Sequence, residues 1–524
     1  MRDFQFPGRS AVFAQNGICA TSHPMAARTA IDLLQGGGNA ADAAIGAAMV
    51  LNLCEPHMTG LGGDCFVLLK PAGQDRIVAI NGSGRAPAAL DAAQLRAQGH
   101  EAVPVHGVEA VTLPGAVDAF CRMQAEWGRM GLPDILAPAI ALAEAGVPVA
   151  PRTAHDWARA THLRGAALHH YLPGGQPPQV GQVFRAPGQA EVLRRIAQHG
   201  RAGFYEGEVA EDLIVSLRAL GGCHTLDDLA ATAARSDDPV ISTYKGHELV
   251  EHAPNGQGAT ACLLLNILAQ FDMAAFDPLG PERAHLEAEA TKLAYDARDR
   301  FLADPDHVMR LAHMLAPDTA QRLATLIDPA RVLPDPAPLT EEIHRDTVYL
   351  TVVDRDGMAV SLIYSIFHGF GSGLASDRFG LIFQNRGAGF TLQAGHPNEL
   401  KGGKRPMHTI IPAMLRHNGR VLMPFGVMGG AYQPVGHARF VSNLLDHGMD
   451  LQSAIDAPRA FAEAGALTLE RPYPDATCRA LADLGHKVIR ADAPIGGAQA
   501  IHIHDSGVLE GASDPRKDGC ALGY

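Results

Sequence analysis

The sequence predicts an α+β fold, a layered sandwich with helices buried against sheets. Three observations carry this expectation: strand-like runs concentrate at the two ends of the chain, Val111 to Leu302 reads mainly as helix, and Ala40 to Leu53 is apolar on every side. A helix without a polar face must sit between other elements. At 524 residues the chain could hold two or three ordinary domains or one large sandwich with insertions.

Taken in order, a short strand around Gly17 to Thr21 passes through Ser22-His23-Pro24 into a helix, which Ser22 is placed to cap and Gly36-Gly37-Gly38 to stop. Asn39 then caps the apolar second helix, and the tight loop Gly60-Leu61-Gly62-Gly63-Asp64 leads into a strand over Cys65 to Lys70. Pro114-Gly115, Pro151, Pro173-Gly174-Gly175 and Pro254-Asn255-Gly256 punctuate the helical middle. Pro281 opens a long helix in which Leu286, Ala290, Leu293, Ala297 and Phe301 keep helical spacing until Asp304-Pro305. Beyond Thr347 hairpins and Gly-rich turns dominate, with one helix near His437 to Leu445.

A hydrophobic fraction of 47% against 19% charged residues marks a folded globular protein. The formal charge of −13, without a Lys/Arg run or an aromatic platform, argues against a nucleic-acid partner and for small molecules. Eight cysteines without a CxxC pair read as thiols in a reducing compartment. The first nine residues lack the apolar core of a secretory signal, and Ala40 to Cys54 contains Asp42 and is too short to cross a bilayer. A cytoplasmic protein without a membrane partner is expected.

Several familiar motifs are missing: GxSxG, a Walker loop, HExxH and the GxGxxG spacing. His502 and His504 share one face of a strand beside Asp505, but no third ligand stands at a suitable spacing. They read as ordinary strand histidines, and neither a metal nor a cofactor is expected.

The most informative stretch is Asp346-Thr347-Val348-Tyr349-Leu350-Thr351-Val352-Val353-Asp354. Upstream, Pro329, Pro334, Pro336 and Pro338 with Asp335, Glu341, Glu342, His344 and Arg345 suit an exposed mobile linker over 329–346. Downstream, apolar alternation, the turn residues Asp356-Gly357 and a second run from Met358 to Ser365 predict a hairpin with Thr347 at its leading edge. Cleavage before Thr347 would give one residue a hydroxyl to attack a carbonyl and an α-amine to take its proton. A threonine that merely opens a strand fits the local pattern as well.

Further segments extend the pattern: His23-Pro24 with Gly37-Gly38-Asn39-Ala40-Ala41-Asp42-Ala43, Glu55-Pro56, Gly60 to Gly63, Pro114-Gly115-Ala116-Val117 and Phe204-Tyr205. Phe370-Gly371-Ser372-Gly373, Lys404-Arg405-Pro406, Met428-Gly429-Gly430 and Gly511-Ala512-Ser513-Asp514-Pro515-Arg516 follow. Together, from about Cys19 to Tyr524, they resemble the γ-glutamyltranspeptidase family of self-cleaving N-terminal nucleophile hydrolases. The resemblance implies a four-layer αββα sandwich. It also implies an inactive precursor cut between Asp346 and Thr347, giving a large chain of residues 1–346 and a small catalytic chain of 347–524, with a homodimer of such pairs as a further expectation. Thr347 would be the nucleophile, Ser365 the hydroxyl that holds it, and Gly429 and Gly430 the oxyanion hole.

The match departs at the substrate. In the γ-glutamyl enzymes an Asn, a Gln and an Asp hold the α-ammonium; the corresponding positions here are Phe367, Arg386 and Gly389. The family's paired serines correspond to His408 and Thr409, and its carboxylate-binding Arg is displaced from the place of Ser83 to Arg85. Arginine's planar fork suits a carboxylate. The expectation is a self-processing amidohydrolase or acyltransferase for a small anionic acyl group, γ-glutamyltransferase-like or glutathione-hydrolysing, with water or an amine as acceptor. The divergent branch implies the alternative of an oxamate, glutaryl or cephalosporin amidohydrolase. An uncut, non-catalytic binding protein is the competing class.

Overall fold

The structure, a computed structural model, describes residue 5, residues 8–333 and residues 347–524. Asp346 and the linker from 334 to 346 lie outside these residues.

Two seven-stranded antiparallel sheets form the centre of the described residues. One runs, in spatial order, Val12–Ala14, Leu509–Ser513, Gly497–Ile503, Arg420–Met428, Ala413–His417, His247–Glu251 and Val240–Tyr244. The other runs Cys520–Gly523, Gly17–Thr21, Val348–Asp354, Ala359–Ser365, Asp64–Lys70, Val78–Gly82 and Arg235–Asp237. Both sheets mix strands from before and after Thr347.

Three kinds of buried cluster show the layering. Val348, Leu350 and Val352 pack with the helices Pro24–Gln35 and Ala40–Cys54 on the outer face of the second sheet. Leu415, Phe425 and Val427 pack with Gly258–Leu268, Pro281–Phe301 and Gln433–Leu445 on the outer face of the first. Between the sheets lie Ile18, Leu68, Val353, Met414 and Ile501, with a second group of Phe66, Tyr349, Ile363, Ile410 and Met428. The order is helix, sheet, sheet, helix, the expected αββα sandwich.

This layering explains why Val348–Asp354 is buried at every position although its apolar residues alternate. Its second face, carrying Tyr349, Thr351 and Val353, meets the other sheet rather than water. Gly426 makes the approach close enough: a Cβ there would stand 2.4 Å from the Tyr349 ring. The helix Ala40–Cys54 is wholly buried, and Asn39 caps it in a reciprocal box with Asp42. The first helix differs from expectation, because His23, not Ser22, caps it, while the Ser22 hydroxyl bonds Glu55 instead.

The described start of the expected mobile linker is tied down. Leu333 N–H donates to Glu289 Oε2 at 2.8 Å and Val332 N–H to the Leu484 carbonyl at 3.2 Å. Proline spacing removes regular structure but does not forbid such side-chain anchors.

Candidate active site

Strand register assembles the site. Val348 pairs with Tyr364, so one step further sets Thr347 beside Ser365, and Ser365 in turn pairs with Asp64. Residues in such a cross-strand row project to one face. Thr347 Oγ1 donates to Ser365 Oγ at 3.3 Å, and both residues are buried. Ser365 Oγ also accepts the Phe367 N–H at 2.8 Å and Arg386 Nη2–H at 3.3 Å. Ser365 is thus no solvated strand serine.

Arg386 is fully buried on the short helical turn Arg386–Gly389. Its guanidinium lies over the Phe367 ring at 4.0 Å, and Nη1 donates to Thr409 Oγ1 at 3.1 Å. Asp64, the nearest counter-charge, is 4.0 Å from Nε, which has no hydrogen-bond partner among the described residues. Burial pulls the Arg386 guanidinium down to about 9, with Asp64 offsetting part of the cost. A buried cation so thinly compensated favours an incoming anion.

Asp64 is itself held by Gly84 N–H at 2.8 Å, the Gln384 amide at 3.0 Å and His408 Nε2 at 3.0 Å. Burial, reinforced by the Arg386 cation, drives the His408 imidazole down to about 3, so it is neutral and donates Nε2–H to Asp64. Unfolded, His408 takes up a proton near 6.5, whereas the folded chain refuses it until about 3. The unfolded state therefore binds the extra proton inside that window, and stability falls as pH drops from about 6.5 towards 3. His408→Asn keeps an amide donor for Asp64 and removes the titration. Thermal melts between pH 7 and 4 should show a shallower acid decline in this variant than in wild type; parallel declines would exclude His408 as a source.

Gly429 and Gly430 follow the strand Arg420–Met428 with φ of +129° and +55°, a conformation that glycine adopts without strain. Met428 shares the inter-sheet cluster with Tyr349, which brings the turn towards the Thr347 end of the hairpin. Gln257 fixes its position: the side-chain amide donates to the Gly430 carbonyl at 3.0 Å and to the Thr409 carbonyl at 2.6 Å. Arg298 Nη1 steadies Gln257 Oε1 at 3.2 Å.

Thr347, Ser365, Arg386, His408 and Thr409 are thus connected directly or through Asp64. Arg85 is not among them; it extends to the Gly403 carbonyl at 2.7 Å and to Asp304 at 3.5 Å, with its side chain 37% exposed. Sequence reasoning missed Asp64, Gln384 and Gln257. Asp64 closes the glycine loop that was read, and Gln257 follows the Pro254-Asn255-Gly256 turn, but nothing local says where either side chain points.

Two packed β-sheets between helical layers, with a threonine hydroxyl buried at the head of a central strand, define the class of N-terminal nucleophile hydrolases. Within that class, the sequence profile described as Gamma-glutamyltranspeptidase matches residues 26–524, and the chain belongs to this family. The oxamate amidohydrolase proenzyme of Klebsiella pneumoniae is 36% identical, covering 98% of this chain and 100% of its own. The glutathione hydrolase-like YwrD proenzyme of Bacillus subtilis is 34% identical, covering 98% of this chain and 99% of its own. The crystal structure of cephalosporin acylase from Bacillus halodurans superposes with a TM-score of 0.93 at 36% identity, covering 100% of this chain and 99% of that one. The protein is a self-processing amidohydrolase of this family. No helix among the described residues is long and apolar enough to cross a membrane.

Proposed function

We propose that Thr347, freed by cleavage of the Asp346–Thr347 peptide, hydrolyses the amide of a short acid that carries a second carboxylate close to the reacting carbonyl. In maturation Thr347 Oγ1 attacks the Asp346 carbonyl, the C–N bond breaks as nitrogen takes the proton, and water hydrolyses the resulting ester. The same oxygen then attacks the substrate amide, with the new α-amine accepting its proton and returning it to the leaving amine; water releases the acid from the acyl-enzyme. Gly429 and Gly430 N–H groups are assigned to the developing oxyanion.

Arg386 carries the reading of the substrate. Its Nη2 is two consecutive 3.3 Å contacts from Thr347 Oγ1, by way of Ser365 Oγ. An acyl carboxylate one or two bonds from the carbonyl spans that gap, whereas an extended glutaryl chain overshoots it. An α-ammonium would meet a cation there. Oxamate, after which the Klebsiella relative is named, has the required length.

A panel of oxamate, malonamate, glutaryl amides, γ-glutamyl anilides and glutathione tests this. The expected kcat/KM falls with acyl length, and γ-glutamyl amides are poorer than their des-amino counterparts. Faster turnover of γ-glutamyl substrates would sink the assignment. Gly430→Pro deletes one proposed oxyanion donor and also cannot keep the φ of +55°, so kcat should fall by at least about 10²-fold. Cleavage and thermal melting, measured alongside, separate this from damage to the turn; full turnover in a folded variant excludes the donor.

A further inference from the structure

Outside the Thr347 site, two groups of imidazoles and carboxylates converge among the described residues. In the first, His285 meets His486 and the Asp328 carbonyl, each at 2.8 Å, and Glu289 holds Lys292 and Leu333 N–H, each at 2.8 Å. Its groups are already used, and Lys292 would oppose a cation.

In the second, the groups are hydrogen-bonded to one another, His504 Nε2 to Glu510 Oε2, rather than to a lysine. His502 lies in Gly497–Ile503, His504 follows that strand, and Glu510, in the adjacent strand Leu509–Ser513, is the register partner of His502. The chain turns back between them through Gly507 N–H to the His504 carbonyl at 2.9 Å. Glu510 brings a third donor group to the two imidazoles, which sequence spacing did not reveal. Its Oε2 stands 2.9 Å from His504 Nε2 and 3.9 Å from His502 Nδ1. Ligand atoms of a tetrahedral zinc ion are about 3.3 Å apart, between these two separations. The imidazoles are about one-third exposed, so an ion has an entry path. The neighbouring cation, Arg420, is turned to Asp505 at 2.6 Å and to the carbonyls of Ile503 and His504.

We propose that His502, His504 and Glu510 form a surface site for a divalent transition cation of the zinc type, with the remaining coordination position open to water. Two imidazoles with one carboxylate suit zinc, nickel or copper rather than calcium or magnesium. His502 is five residues along its strand from Gly497, the register partner of Met428. At the usual strand rise this is about 17 Å from the Gly429 turn. The ion fastens the hairpin and takes no part in acyl transfer.

The test uses the untagged full chain, stripped with chelator, titrated with Co2+ by visible absorption and with Zn2+ by calorimetry and thermal melting. One saturable ion per chain and a zinc-dependent rise in Tm are expected. His502→Ala, His504→Ala and Glu510→Gln should each weaken binding at least about ten-fold. Metal-free turnover should stay at the wild-type value in all three, and metal-free Tm should fall only by the loss of the 2.9 Å His504–Glu510 hydrogen bond, while His486→Ala binds normally. No saturable binding, undiminished binding in the His502→Ala/Glu510→Gln pair, or binding lost in His486→Ala would each overturn the site.

Discussion

Thr347→Ala is expected to remain one full-length chain on a denaturing gel and to show no measurable amidase activity. Alanine has no oxygen to attack the Asp346 carbonyl, and without the cut there is neither a nucleophile nor a free α-amine. The fold should survive, because the variant loses a 3.3 Å hydrogen bond to Ser365, worth about 1 kcal/mol net. Thr347→Ser restores the hydroxyl and should recover part of both cleavage and turnover. Mass spectrometry that still found a chain beginning at residue 347 in the Ala variant would refute the nucleophile.

Arg386→Gln should reduce kcat/KM for a short anionic amide about 10³-fold, the scale of losing one partner of a buried charge-assisted pair. A neutral amide of the same shape never forms that pair, so its kcat/KM should fall only by what the 3.3 Å Arg386–Ser365 contact contributes, about ten-fold at most. The measured quantity is the ratio between the two substrates, which also cancels any loss of folded enzyme caused by leaving Asp64 without its cation. Equal losses on both substrates would show that Arg386 supports the fold rather than the acyl carboxylate. Arg386→Lys keeps charge but loses the planar fork, and should fall between wild type and Gln.

Local chemistry made much of the framework legible. Alternation and Asp356-Gly357 gave the hairpin, Asn39 gave its helix cap, and the turn glycines at 429 and 430 stand at positive φ. The cap at His23 was missed because Ser22 and His23 both carry acceptors, and the choice was made by distant Glu55, which engages the Ser22 hydroxyl. Arg386 could be read as a substitution but not as a neighbour of Ser365, since their contact depends on the loop joining two strands. Glu510 was invisible for a similar reason: its place beside His502 is set by strand register. Arg85 and Arg386 looked alike in sequence; burial and Asp304 separate them.

The interleaved sheets have a consequence for the matured enzyme. The hairpin Val348–Asp354 and Ala359–Ser365 is flanked by Gly17–Thr21 on one side and Asp64–Lys70 on the other, so after the proposed cut this sheet holds strands of two polypeptides. Folding of the precursor is unimolecular; regaining the same sheet after cleavage requires two chains to meet. Once denatured, the mature enzyme is therefore penalised by dilution in a way its precursor is not. Self-cleavage thus makes regaining the sheet a second-order event, dependent on the concentration of both chains.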